Sequence, residues 1–337
     1  MKRLALAVLP TLAALALAAC GEKKDVLSPS ASASQPFTLM LDWVPNADHV
    51  GIYQGLSEGD FSQAGLNVKV EVPTDPATPL ELVAAGKVDA AISYEPEVML
   101  ARNRGLPLVS VAAIVQEPLT SIVSLGSKHI QTPAQLRGKT VGTAGISYQH
   151  AYLDTILARA GVPVNKVKEV NVGANLVPAM LSGRVDATLG AYWNYEAIQL
   201  AQRRKHPNVI RMDQVGVPTY NELVLVVKRG TIASKTDELR RFVHAMGRGY
   251  ASARQDPQAA VGALVRANPG LDEKLQLASV RATLPAFFPT AAGKPWGWQD
   301  QTQWNAYGQW MLDNHLISNP QAVADASTNE LLAGQGV

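Results

Sequence analysis

The segment Ala85-Gly86-Lys87-Val88-Asp89-Ala90 returns later in the chain as Ser182-Gly183-Arg184-Val185-Asp186-Ala187, with Asp89 and Asp186 standing 97 positions apart. Each copy follows an apolar run of helical period, residues 80–85 and 176–181, and precedes a short apolar run of strand character. The first run leads into Ser93-Tyr94-Glu95-Pro96, the second into Tyr192-Trp193-Asn194-Tyr195-Glu196. A separation of this length is the size of a lobe rather than of a solenoid unit. Two α/β units that each deliver aromatic rings and a carboxylate at the C-terminal end of a strand predict a two-lobed α/β fold with a ligand cleft between the lobes.

The N-terminus bears on where such a body works. Met1-Lys2-Arg3 and an apolar stretch over residues 4–19, broken by Pro10, make a positive start and a run shorter than the ~20 residues that cross a bilayer, the pattern of an export signal over residues 1–19. Leu17-Ala18-Ala19-Cys20 is similar to the processing site of bacterial lipoproteins, in which the cysteine becomes the lipid-bearing first residue. Cys20 is therefore expected to anchor the protein to a membrane, in the cell envelope or periplasm. It is also the single cysteine, which excludes an internal disulfide, a cysteine metal site and a thiol nucleophile. Residues 20–36 include Ser28-Pro29-Ser30-Ala31-Ser32-Ala33-Ser34, hold nothing to bury, and read as a flexible tether. The formal net charge of +2 comes from Lys2 and Arg3; without them 28 basic residues face 28 acidic ones. A balanced body without a Lys/Arg run gives nucleic acid no electrostatic footing.

Along the body, residues 37–41 read as a first strand that stops at Asp42-Trp43-Val44-Pro45-Asn46, where Pro45 and Asn46 favour a turn. Residues 49–58 read as a helix, 68–72 as a strand, 80–85 as a helix closed by Gly86, and 88–93 and 108–115 as strands. The strand-like runs 119–125 and 220–227 bracket a block of lobe size and are expected to be the two crossings between lobes. Within it, strands are expected at 139–142, 167–170 and 187–191, and helices at 148–160, with Ser147 as N-cap, and 176–181. The lobes are thus placed at 37–122 together with 220–337, and at 123–219. From Ser234 the pattern is helical, a tail expected to pack back on the first lobe. Trp304, Tyr307, Trp310 and Met311 fall at helical spacing and read as core.

Four clusters at strand ends or crossings carry the chemistry: Asp42 and Trp43 with Asn46 and His49; Tyr94 and Glu95; Trp193, Asn194, Tyr195 and Glu196; and Tyr220, Asn221 and Glu222. Each sets flat aromatic surface beside a carboxylate, an amide, or both. Aromatic faces suit a planar ring, with about 0.5–1.5 kcal/mol per stacked pair beyond area burial. An amide such as Asn221 matches the amino donor and ring-nitrogen acceptor of an aminopyrimidine, and a carboxylate such as Glu196 accepts from the amino group. Several carboxylates in one cleft call for a ligand that brings donors or positive charge, so sulfonate, nitrate and phosphate fit poorly. Ser147 and the helix it opens offer a site for an anionic or formyl oxygen or a plain N-cap; His49 either donates to ligand or satisfies the Asn46 turn.

Together, Leu41-Asp42-Trp43-Val44-Pro45-Asn46 with His49, Ser93-Tyr94-Glu95-Pro96, Tyr192-Trp193-Asn194-Tyr195-Glu196 and Pro218-Thr219-Tyr220-Asn221-Glu222-Leu223 resemble, in order and over residues 37–229, the ThiY-type substrate-binding proteins of ABC importers, which take up thiamine pyrimidine precursors. The resemblance implies a two-lobed type II periplasmic binding protein, monomeric and free of cofactor and metal. Its cleft would hold N-formyl-4-amino-5-aminomethyl-2-methylpyrimidine or a close relative, and its closed form would meet a membrane permease. Another flat heteroaromatic, such as a flavin, or a small amine is the alternative cargo. The same family includes a pyrimidine-synthesising enzyme whose pattern needs a lysine and, four residues on, a histidine; those places hold Ser93 and Glu97, and the enzyme's cysteine-rich motif is missing, so no enzyme is expected.

Overall fold

The computed structural model describes residues 34–335, so the expected signal, Cys20 and the tether up to residue 33 lie outside the described residues. The strands in chain order are β1 (Gln35–Met40), β2 (Leu66–Glu71), β3 (Ala90–Ser93), β4 (Leu108–Val115), β5 (Thr120–Ser124), β6 (Thr140–Thr143), β7 (Lys168–Asn171), β8 (Ala187–Tyr192), β9 (Asn208–Arg211) and β10 (Leu223–Lys228). They form two five-stranded sheets, ordered β2-β1-β3-β10-β4 and β7-β6-β8-β5-β9.

The two sheets share one plan. Three parallel strands come first, β2-β1-β3 in one lobe and β7-β6-β8 in the other. Beside them lies an antiparallel strand that has arrived from the opposite lobe, β10 or β5, followed by β4 or β9. The expected crossings at 119–125 and 220–227 are therefore corrected. Those runs are mostly β5 and β10, inner strands buried and paired on both sides, and the chain passes between sheets at residues 116–119 and 212–222. Their unbroken apolar character reports a strand covered on all sides rather than a connection. With β5 beginning at Thr120, the second sheet starts ahead of the boundary expected at residue 123. The first strand likewise starts inside the expected tether, because Gln35 pairs with Leu66 and its N–H donates to the Gly65 carbonyl at 2.9 Å.

The sequence repeat builds equivalent corners. Gly86 and Gly183, at φ of 68° and 75°, end the helices Pro79–Ala84 and Leu176–Leu181 in the left-handed conformation that glycine adopts without penalty. The aspartate three residues on then binds the neighbouring parallel strand: Asp89 Oδ2 accepts from Thr38 N at 2.9 Å, and Asp186 Oδ2 from Thr140 N at 3.0 Å. A lysine closes each corner, Lys235 Nζ on Asp89 at 2.8 Å and Lys128 Nζ on Asp186 at 2.7 Å. These aspartates join helix end to sheet and so aim the ends of β3 and β8 at the space between the lobes.

The tail packs on the first lobe through the Thr236–Gln255 helix, which lies against Val50–Glu58 with Phe242 stacked on Phe37 at 4.1 Å. Trp304, Tyr307, Trp310 and Met311 are buried in the core, as their spacing predicts. The tail also reaches the second lobe: Ser279 Oγ donates to the Asn194 carbonyl at 2.5 Å, and Gln276 Nε2 to the Tyr195 hydroxyl at 2.8 Å.

Candidate ligand-binding site

The C-terminal ends of β1, β3, β6 and β8 converge on a narrow cavity between the lobes. Asp42, Trp43, Asn46, Asp48 and Tyr94 line it from the first lobe. From the second come Tyr148, Gln149, Tyr192, Tyr195 and Glu196, with Ala144, Ile146, Leu176 and Gly190, while Leu223 of β10 completes the wall. No Lys, Arg or His is among these lining residues.

The turn after β1 sets the acidic floor. Asn46 caps the short helix that follows, its Oδ1 accepting from Asp48 N at 2.8 Å, and His49 Nδ1 accepts from Asn46 N at 3.2 Å in a reciprocal box. With Nδ1 so engaged, the ring proton sits on Nε2, which donates to Asp42 Oδ1 at 2.9 Å. The Tyr94 hydroxyl donates to the other oxygen, Oδ2, at 2.8 Å. Asp42 is held in place by its own lobe, and His49, fully buried behind it, orients it without lining the cavity.

Asp48 and Glu196 face the cavity from opposite lobes. Burial, reinforced by the charge of Asp42, pushes the Asp48 carboxyl up to about 8, against the hydrogen bond from Asn194. Burial also pushes Glu196 up to about 7, although its Oε2 accepts from Tyr192 N at 2.8 Å. Such a pocket resists additional negative charge and favours a guest that brings donors.

Of the side chains singled out from sequence, Asp42, Trp43, Asn46, Tyr94, Tyr195 and Glu196 line the cavity; the rest are placed elsewhere. Glu95 Oε2 accepts from both the backbone N and Nδ2 of Asn221, each at 2.7 Å, so the amide expected to read a ring edge is engaged by a buried carboxyl. Glu222 accepts from Leu119 N, Thr120 N and Thr120 Oγ1, and from the hydroxyl of Tyr220, whose ring packs against Tyr152 and Tyr307 in the core. Trp193 Nε1 donates to the Pro118 carbonyl, with the Arg211 guanidinium over its ring at 4.8 Å. Ser147 is not an N-cap: the Ser147–Arg159 helix begins at it, the cap residue is Ile146, and Ser147 Oγ donates to Glu97 Oε2 at 3.3 Å. Sequence reading missed Asp48, Tyr148, Gln149, Gly190 and Tyr192 as lining residues. Tyr148 and Tyr192 each adjoin a residue that had been singled out, and Asp48 sits between two.

A family model described as NMT1/THI5 like matches residues 46–260. The chain belongs to the NMT1/THI5-like family. Members similar to it include the formylaminopyrimidine-binding protein of Halalkalibacterium halodurans, 33% identical over 292 residues that make up 86% of this chain and 88% of the relative. Another is a putative thiamine biosynthesis protein of Haemophilus influenzae, 34% identical over 293 residues, 87% of this chain and 90% of the relative. More distant NMT1/THI5-like members are named 4-amino-5-hydroxymethyl-2-methylpyrimidine phosphate synthases, that of Legionella pneumophila being 24% identical. Among solved structures, the periplasmic aliphatic sulphonate binding protein SsuA from Escherichia coli superposes with a TM-score of 0.65 at 16% identity, covering 87% of this chain and 90% of that one. The two-lobed fold is that of the periplasmic binding proteins, carried here by an NMT1/THI5-like chain.

Proposed function

We propose that this protein is a substrate-binding lipoprotein, anchored outside the cytoplasm through Cys20, that captures a thiamine pyrimidine precursor of the formylaminopyrimidine or hydroxymethylpyrimidine type and presents it to the permease of an ABC importer. The observation that carries the reading is the composition of one cavity: the aromatic side chains of Trp43, Tyr94 and Tyr195 together with the carboxyls of Asp48 and Glu196, with no cationic side chain lining it. A flat ring bearing an amino group fills such a slot, stacking on the aromatics and donating to the carboxyls. An oxyanion would meet carboxylates and no counter-charge. The name of the Halalkalibacterium halodurans relative agrees with this guest. A binding role without turnover is supported by Ser93 and Glu97, which stand where the synthase pattern needs a lysine and a histidine. Glu97 is instead engaged across the lobes, its Oε1 accepting from Tyr148 N at 3.1 Å.

Calorimetric titration with 4-amino-5-hydroxymethyl-2-methylpyrimidine tests the reading, alongside native mass spectrometry of protein purified from its own cells. Saturable one-to-one binding without turnover is expected. Absence of any pyrimidine binding, or a bound flavin that leaves the protein yellow, would overturn it.

A further inference from the structure

Asp48 is 1% exposed, lines the cavity, and has one carboxylate oxygen, Oδ2, without a partner. The residue cannot readily turn away to satisfy that oxygen. Its backbone N donates to Asn46 Oδ1 at 2.8 Å, its carbonyl accepts from the Tyr250 hydroxyl at 2.6 Å, and its Oδ1 accepts from Asn194 Nδ2 at 2.8 Å. Asn194 is itself fixed, donating to Thr283 Oγ1 at 2.6 Å and accepting at its carbonyl from Ser279. A buried acceptor held at three points and left open at the fourth, in a cavity wall, calls for a donor from whatever fills the cavity.

The other lining acids serve differently. Both oxygens of Asp42 already accept hydrogen bonds from His49 and Tyr94, and Glu196 faces the cavity from the opposite lobe. The groups whose charge bears on Asp48, namely Asp42, Glu196 and Glu222, are all carboxyls. The bond from Asn194 joins the lobes, so the direction of the open oxygen is set when the cleft is closed.

Resting on the pyrimidine reading, we propose that Asp48 is a specificity-determining residue whose open oxygen takes an N–H or ammonium donor on the exocyclic substituent of the ring, so that the site selects amine- or amide-bearing pyrimidines and rejects their phosphate esters. A phosphate at that position would bring two negative charges to three carboxyl groups, with no lining cation to compensate.

The test is calorimetry on the folded protein with three probes that share one ring: 4-amino-2-methylpyrimidine carrying 5-aminomethyl, 5-hydroxymethyl, or the phosphate ester of the latter. The wild type is expected to bind the aminomethyl probe at least tenfold tighter than the hydroxymethyl probe, and the phosphate ester at least a hundredfold more weakly than either. Asp48→Asn keeps the shape and removes the group that can give up a proton and become negative when an ammonium donor binds; it is expected to lose the aminomethyl preference and to narrow the phosphate gap by tenfold or more. Equal affinities of the wild type for all three probes overturn the role of Asp48 whether or not the variant folds, as does a folded Asp48→Asn with the wild-type ranking. Failure of every probe to bind overturns the pyrimidine reading itself.

Discussion

Glu222 accepts the hydroxyl of Thr120 at 2.8 Å, and this contact ties one interlobe crossing to the other. Glu222 ends the second crossing just before β10, and Thr120 opens β5 as the first crossing ends. Its Oε2 also takes the backbone N–H groups of Leu119 and Thr120, both at 2.7 Å, and the Tyr220 hydroxyl at 3.1 Å. One buried carboxyl thus gathers the two chain segments about which the lobes would open, and closure becomes a rotation about a clasp rather than a sliding of sheets.

Glu222→Leu removes that clasp by leaving the backbone N–H groups of Leu119 and Thr120 and the Tyr220 hydroxyl without their acceptor. The loss of charge-assisted bonds is expected to cost about 2–3 kcal/mol of stability. Thermal denaturation of the variant should show a midpoint lower by several degrees, and an unchanged midpoint would count against the clasp.

Glu196→Gln and Trp43→Ala alter the cavity wall, at a carboxyl that also accepts from Tyr192 N and at a ring that also packs against both buried cores. Each is expected to weaken pyrimidine binding at least tenfold, about 1.4 kcal/mol; Glu196→Gln should melt close to wild type, whereas Trp43→Ala should melt lower but remain folded at the temperature of the titration. His49→Ala is expected to weaken it too, through Asp42, which loses the donor that orients it. Calorimetry on the three variants decides: wild-type affinity in both Glu196→Gln and Trp43→Ala would remove the site, whereas wild-type affinity in His49→Ala alone would confine ligand recognition to the lining residues.

The carboxyls of Asp48, Glu95 and Glu196 are raised by burial to about 8, 8 and 7 from ordinary values of 3.8, 4.5 and 4.5. A raised acid means that the folded protein holds a proton the unfolded chain has released. The stabilisation this gives is complete below the unfolded value and fades as pH rises through the folded one. The ligand-free protein is therefore expected to melt at progressively lower temperature from pH 5 to pH 8. Binding of a cationic pyrimidine at pH 7 should release protons, seen as a dependence of the calorimetric enthalpy on buffer ionisation. A melting temperature that climbs over that pH range would contradict the burial of these groups.

The repeat around Asp89 and Asp186 made both lobes legible because a local device, glycine at a helix end and aspartate on the next strand, is written in consecutive residues. Asp42, Tyr94 and Glu196 were readable for the same reason, since the apolar run of a strand announces where its C-terminal end lies. The direction in which Glu95, Asn221 and Glu222 turn was not readable. Each is satisfied by a group far off in sequence: Glu95 and Asn221 bind one another, and Glu222 binds the other crossing. The runs 119–125 and 220–227 misled as crossings because strand exchange between sheets leaves no local mark. Asp48 was hidden because its partner, Asn194, belongs to the opposite lobe.

Gly190 shows how narrow the tolerance of the cavity wall is. It lies in β8 at φ 106°, and a Cβ there would come within 2.3 Å of Gln149 Nε2. Gln149 is buried, with its Oε1 accepting from Ala144 N at 2.7 Å, so its amide cannot yield without breaking that bond or entering the cavity it lines. Gly190→Ala is expected to cost about 1–3 kcal/mol of stability through its backbone conformation and to weaken pyrimidine binding at least tenfold by displacing Gln149. The two effects separate in the double variant with Gln149→Ala, which restores space but leaves the strained backbone. Affinity should recover in part while the melting temperature stays low. If the double variant binds no better than Gly190→Ala, Gln149 is not the group through which Gly190 shapes the site.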